Sequence, residues 1–229
     1  MIAIVRFQAA AYVRSLRILP PLIVIALVVV LVLLQGPSGP KASDLAVGTF
    51  GDVAAFMFPV WAWAARGLLD TQPDEQRALT TSAARHRSAP VWAGLSAAYL
   101  VNLGLGLVAL AVPLVHAVSL GSPGSAVAAG CALNALAAVA GTLLGAWTSR
   151  AVLPSSGTSL LVLIGGAAAL VLFGLGPLSP LSVPMIDWLR AAHDGPDTFA
   201  ADFPGIALHL ALWAGLVGAA YVATDRFRS

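Results

Sequence analysis

The sequence predicts an all-α integral membrane protein of six transmembrane helices, with an N-terminal amphipathic interfacial helix and both termini in the cytoplasm. Three observations carry that expectation. Of 229 residues, 59% are hydrophobic and only 10% charged, whereas a soluble globular domain runs about 25% charged because its surface must face water. With a mean hydropathy of +0.90, lipid is the solvent the composition implies. Six apolar stretches are long enough to approach a hydrocarbon core of about 30 Å, which takes roughly 20 helical residues to cross. The arginines, finally, gather on one side of those stretches.

The predicted spans are residues 19–35, 53–69, 91–117, 125–147, 159–178 and 205–223, together one transmembrane domain. They are read as helices because lipid leaves a backbone amide no partner outside its own chain. Arg6, Arg14 and Arg17 precede the first span. Arg66, Arg77, Arg85 and Arg87 surround the connection between the second and third, Arg150 follows the fourth, and Arg226 and Arg228 close the chain. Of the 12 Lys and Arg, only Lys41 and Arg190 fall on the opposite side. Positive-inside bias then sets both ends in the cytoplasm.

Residues 1–18 interleave Ile4, Phe7, Ala11 and Leu16 with Arg6, Arg14 and Arg17, the pattern of a basic helix lying in the cytoplasmic interface. Pro20 and Pro21 argue against one continuous helix running from it into the first span. That span is too long for a signal-peptide core, and GPSGP follows it in place of a small-x-small cleavage site. Among the external connections, 36–51 is Gly/Pro/Ser-rich and reads as irregular, and 119–124 is a short turn. The connection 179–204 holds SVPMIDWLRAAHDG, where Pro184 suits a first helical turn and Gly195 a stop. Its apolar cluster of Met185, Ile186, Trp188 and Leu189 reads as a short helix dipping into the outer interface.

Missing motifs narrow the function. A phosphate-binding loop needs a lysine in G-x-x-x-x-G-K-[ST], and the sole lysine is Lys41, in no such motif. The sole glutamate is Glu75, no H-E-x-x-H occurs, and no span carries a central acidic residue of the kind ion-coupled carriers use. The single cysteine, Cys131, excludes an intrachain disulfide and reads as a small packing residue. No catalytic residue, metal site or cofactor is assigned to this chain, and it is not read as an enzyme. The basic residues sit where membrane rules put them, so no nucleic-acid partner is read. His116 and His209, both near the outer face, are either a ligand pair or interfacial hydrogen-bonding groups, the second being preferred. Asn102 and Asn134 are the deepest polar side chains, lining a pathway or, preferably, bonding between helices. The Gly141-x-x-x-Gly145 pattern reads as packing within the subunit ahead of a dimer face.

The cytoplasmic connection 70–90 is the most informative segment. Thr71-Gln72-Pro73-Asp74 fits a capping box with proline in the first turn, and Asp74 and Glu75 favour the positive end of the helix that follows, over about 72–83. Its plain reading is a solvated hairpin; its functional reading is a docking helix for a cytoplasmic partner.

Through RGLLDTQPDEQRALTTSAARHR after the second span and FQAAAYVRSLRILPP at the N-terminus, the chain resembles the membrane subunit of ATP-binding-cassette exporters of the type-2 permease kind. The six-span layout and the external helical segment agree with it, and a preponderance of arginine over the single lysine suggests the half-size form of high-GC bacteria. The resemblance implies a stand-alone permease subunit of a bacterial plasma membrane, multi-pass and surrounded by membrane lipids. It pairs with a second permease subunit, identical or paralogous, to form an outward substrate pathway. It further implies a separate ATPase subunit, which holds the ATP and Mg and docks through Thr71, Pro73, Asp74, Glu75, Arg77 and Arg85. Two rivals stand beside it: an accessory or assembly subunit that recruits a partner without transport, and a membrane enzyme whose site is unrecognised.

Overall fold

The most extensively buried of the long helices is α3 (Ala42–Leu69), and the rest of the fold is arranged around it. In the computed structural model, which describes residues 2–34, 36–72 and 89–228 with side chains through 224, every element is helical. In order these are α1 (Ile2–Arg14), α2 (Leu19–Leu34), α3, α4 (Ala89–Ser119), α5 (Gly124–Trp147), α6 (Ser156–Gly174), a 3-10 turn (Ser179–Leu181), α7 (Met185–His193) and α8 (Pro196–Arg228).

A helix that is apolar all round belongs in an interior, and α3 carries no charged or hydroxyl side chain from Val53 to Ala65. It packs most extensively against α5 and α4, and also receives α7. Helix α5 comes close because its facing residues are small. A Cβ built on Gly141 would lie 2.7 Å from Trp61 Cβ and 3.0 Å from Phe58 O, and one on Gly145 would overlap the Ala62 carbonyl. Gly141 and Gly145 therefore form a packing seam inside the chain. Helix α2 buries Pro21, Ile25, Val28 and Val32, a single stripe, and leaves Ile23, Leu27 and Leu34 exposed. Helix α6 buries only Ser159 and Leu163. Exposed apolar faces of this kind are what a lipid solvent requires.

Five helices (α3, α4, α5, α6 and α8) are long and apolar enough to cross a bilayer unaided. Helix α2 has 16 residues, about 24 Å at the helical rise, short of the hydrocarbon core. It qualifies only together with α1, from which it is bent by 76°. The break falls at Ser15–Ile18, where Leu16 takes φ 59°, and helix resumes with Pro20 and Pro21 in its first turn, where their missing N–H groups are not needed. The interfacial segment expected over 1–18 is thus a helix ending at Arg14. Its buried residues are Gln8 and Tyr12, while Phe7 and Leu16 are exposed; packing against α4 and α3, not the Ile4–Phe7–Ala11 stripe, selects the inward face.

Other boundaries also moved. Helix α3 begins at Ala42, so most of the stretch expected to be irregular over 36–51 is helical. The reason is α7: Ala192 Cβ and the Trp188 carbonyl lie against Gly51, and His193 lies against Gly48, so those glycines are sites of close approach and not turns. Helix α8 begins at Pro196 instead of near 205, and α6 stops at Gly174 instead of 178. Helix α7 occupies the expected place, with Pro184 before it and Gly195 at φ 110° after it. It buries Met185, Trp188, Ala191 and Ala192 against the protein.

Candidate functional site

At the arginine-rich end of the bundle, three connections meet on one residue. Asp70 follows the last turn of α3, and its backbone N–H closes that helix on Arg66 O while the Thr71 N–H bonds Leu68 O. Its carboxylate accepts the Arg150 backbone N–H at 2.8 Å, from the turn after α5. Its carbonyl accepts from Arg17 Nη1 at 3.0 Å, from the α1–α2 junction. Arg66, one turn earlier, lies 3.7 Å from Asp70 Oδ2 through Nε and donates through Nη2 to Ser156 O at 3.0 Å, at the start of α6. The Ser159 hydroxyl bonds the Thr148 carbonyl, fixing α6 to the end of α5. The Arg66 and Asp70 side chains are largely buried, so their ion pair is screened less than a surface pair.

Thr71, the first of the expected docking residues, donates its hydroxyl to Gly67 O at 2.9 Å and so finishes α3. Pro73, Asp74, Glu75, Arg77 and Arg85 lie outside the described residues, as does nearly all of the helix expected over 72–83. Of the N-terminal arginines, Arg17 joins the Asp70 cluster, while the Arg6 and Arg14 side chains are exposed and bond to no described residue. Asp70 itself carries no motif. Its only sequence signal is the i, i+4 spacing from Arg66, and its partners at 17 and 150 are remote in sequence.

The bundle interior holds the two asparagines. Asn102 of α4 donates through Nδ2 to Trp61 O at 3.0 Å and to Thr142 Oγ1 at 2.9 Å, while Trp61 Nε1 donates back to Asn102 O at 3.1 Å. Thr142 in turn donates to Ala138 O at 2.7 Å. Helices α3, α4 and α5 are therefore latched together at one level. Asn134 of α5 donates to Phe50 O at 3.1 Å and to Gly130 O at 2.9 Å. Both asparagines bond between helices, and the donors' two acceptors fix each amide's orientation.

At the opposite end, His193 Nε2 meets Asp52 Oδ1 at 2.9 Å, joining α7 to α3. His209 donates to Pro180 O at 3.2 Å and Trp213 to Leu181 O at 3.0 Å, which tie the 3-10 turn to α8. His209 also lines a pocket of about 330 Å3 with Asp187, Arg190, Asp194 and Asp202. His116 does not line that pocket, and its Nδ1 is buried without a partner. Among the described residues no group of three His, Cys, Asp or Glu could hold a metal ion.

No protein-family model matches the chain, and no curated protein or solved structure matches it either. The helices themselves define its class: an all-helical protein with the architecture of a multi-pass membrane protein.

Proposed function

We propose that the chain is the membrane subunit of an ATP-driven exporter, working as a dimer with separate ATPase subunits that dock on residues 70–90. It crosses the bacterial plasma membrane six times, with α1 lying in the cytoplasmic interface and α2 completing the first crossing. ATP and Mg belong to the partner, and this chain contributes the pathway.

The Asp70 cluster is the observation that carries the reading. A docking segment must pass force into the membrane core, and a flexible hairpin would dissipate it. Here the residue at the root of 70–90 is bonded to the α1–α2 junction and to the turn after α5, and its neighbour Arg66 to the start of α6. A displacement of the segment therefore pulls on several helices at once. The asparagine latches keep α3, α4 and α5 moving as one body.

Affinity purification of the full chain from its native membrane tests this. An ATPase subunit with no spans of its own should come with it, and its hydrolysis should depend on this chain. Glu75→Arg combined with Arg77→Glu reverses local charge at the dock, and interface charge pairs of this kind are worth a few kcal/mol. Association should weaken while membrane insertion stays normal. The matching reversal of Arg190 and Asp194 at the other end should leave association unchanged. Purification without any ATPase, or association indifferent to the cytoplasmic reversal, overturns the reading.

A further inference from the structure

Helices α4 and α8 both pack on α5 but not substantially on each other. Between them lies a groove of about 670 Å3, floored by Val139 and Leu143 of α5, within the range of roughly 300–1,000 Å3 typical of ligand sites. The α8 wall is made of small residues, among them Gly215, Gly218 and Ala219. A Cβ on Gly215 would meet nothing within 4 Å. The α4 wall is different in kind. It presents Trp92, Ser96 and Tyr99, at the spacing of one helix face.

The Trp92 indole, the Ser96 hydroxyl and the Tyr99 hydroxyl make no hydrogen bond to any described residue. All three can donate, and an indole can do nothing else. Counting from Ala89 at the helical rise, they stand about 5, 10 and 15 Å along α4, a run that starts at headgroup depth and ends in the outer hydrocarbon. A phospholipid supplies what is missing: phosphate and ester carbonyl oxygens accept, and an acyl chain matches the apolar floor. Charge points the same way. Arg85 and Arg87 immediately precede α4 in sequence, and Arg226 and Arg228 end α8, against the single Asp225. Basic residues at such positions attract anionic headgroups.

We infer that the groove between α4, α5 and α8 is a binding site for one anionic phospholipid of the arginine-rich leaflet. Its phosphate and ester oxygens accept from Trp92, Ser96 and Tyr99, and one acyl chain lies along α5 against Gly215 and Gly218. The site is independent of the transport reading.

Native mass spectrometry of the purified, delipidated full chain, titrated with dioleoyl phosphatidylglycerol or dioleoyl phosphatidylcholine, tests it. One phosphatidylglycerol should be retained, preferred by about fivefold, the worth of a single juxtamembrane arginine. Gly215→Leu fills the groove and should abolish retention, while Gly104→Leu, at an equally open position of α4 outside the groove, should not. Ser96→Ala with Tyr99→Phe nearly preserves the groove's volume and should weaken retention roughly tenfold, as two lost hydrogen bonds would. Retention unchanged in both groove variants overturns the site. Equal retention of the two lipids overturns the anionic assignment, and a change of oligomeric mass in Gly215→Leu would give the groove to a second copy instead.

Discussion

Single atoms decide how closely the central helices approach. At Gly145 an added Cβ would overlap the Ala62 carbonyl and stand 2.8 Å from Ala65 Cβ and 2.9 Å from the Arg66 backbone nitrogen. Two of those three obstacles are backbone, which has no rotamer to adopt. Gly145→Ala should therefore force α3 and α5 apart at the turn that carries Arg66, at a cost beyond the usual 1–3 kcal/mol or so of overpacking. Gly215→Ala, which meets open space, should leave stability unchanged. The heat-unfolding midpoints of the two variants in detergent check this, and equal midpoints would remove the seam from the account. The asparagines act by direction instead of by size. With each amide donating to a backbone carbonyl of α3, they fix the register of α4 and α5 along that helix, which small residues alone would leave free to slide.

At the scale of elements, α7 shows what local sequence can and cannot reveal. Its start, its stop and its apolar content were legible, because Pro184 and Gly195 are local signals. Its destination was not: Trp188 is fully buried in protein, and nothing in MIDWLRAAH distinguishes a protein-facing from a lipid-facing stripe. The same blindness hid the first ten residues of α3, since Gly48 and Gly51 look like loop glycines until α7 is laid across them. Pro204 and Asp202 likewise masked the early start of α8, where Phe199, Ile206 and Leu210 make the buried stripe. Asp70 is not legible as a site in the sequence, because its partners, Arg17 and Arg150, are brought to it only by the tertiary fold. Apolar length and arginine position, being additive along the chain, were legible; pairwise packing was not. The seating of α7 can be measured. Trp188→Ala should cost about 3–5 kcal/mol, lowering the unfolding midpoint by roughly 10 °C for a chain of this size. Trp188→Phe should cost much less, because Nε1 has no partner to lose. Similar losses in the two variants would mean that the indole nitrogen is bonded after all.

For the whole molecule, everything turns on the short helix α2, because it sets the parity of the fold. Five helices are long and apolar enough to cross unaided, and five crossings alone would set the two termini on opposite sides. If α2 also crosses, both termini share a side. The arginines favour the second arrangement: Arg6, Arg14 and Arg17 would otherwise sit outside, opposite Arg66, Arg150 and the C-terminal pair, against the positive-inside bias. The Arg17–Asp70 bond agrees, since it holds the start of α2 at the same end of the bundle as the C-terminal end of α3. The shortfall of α2, at 16 residues, is modest, and local thinning of the bilayer accommodates such a mismatch at fractions of a kcal/mol per Å. In a Cys131→Ala background, cysteines at Ser38 and Asp197 should react with an impermeant thiol reagent on intact cells. Cysteines at Ala3, Ser82 and Ser229 should react only once the membrane is opened. Ala3 is the discriminating position. Should it label on intact cells together with Ser38, α2 does not cross, the N-terminus is outside, and the Arg17–Asp70 contact cannot exist in the membrane.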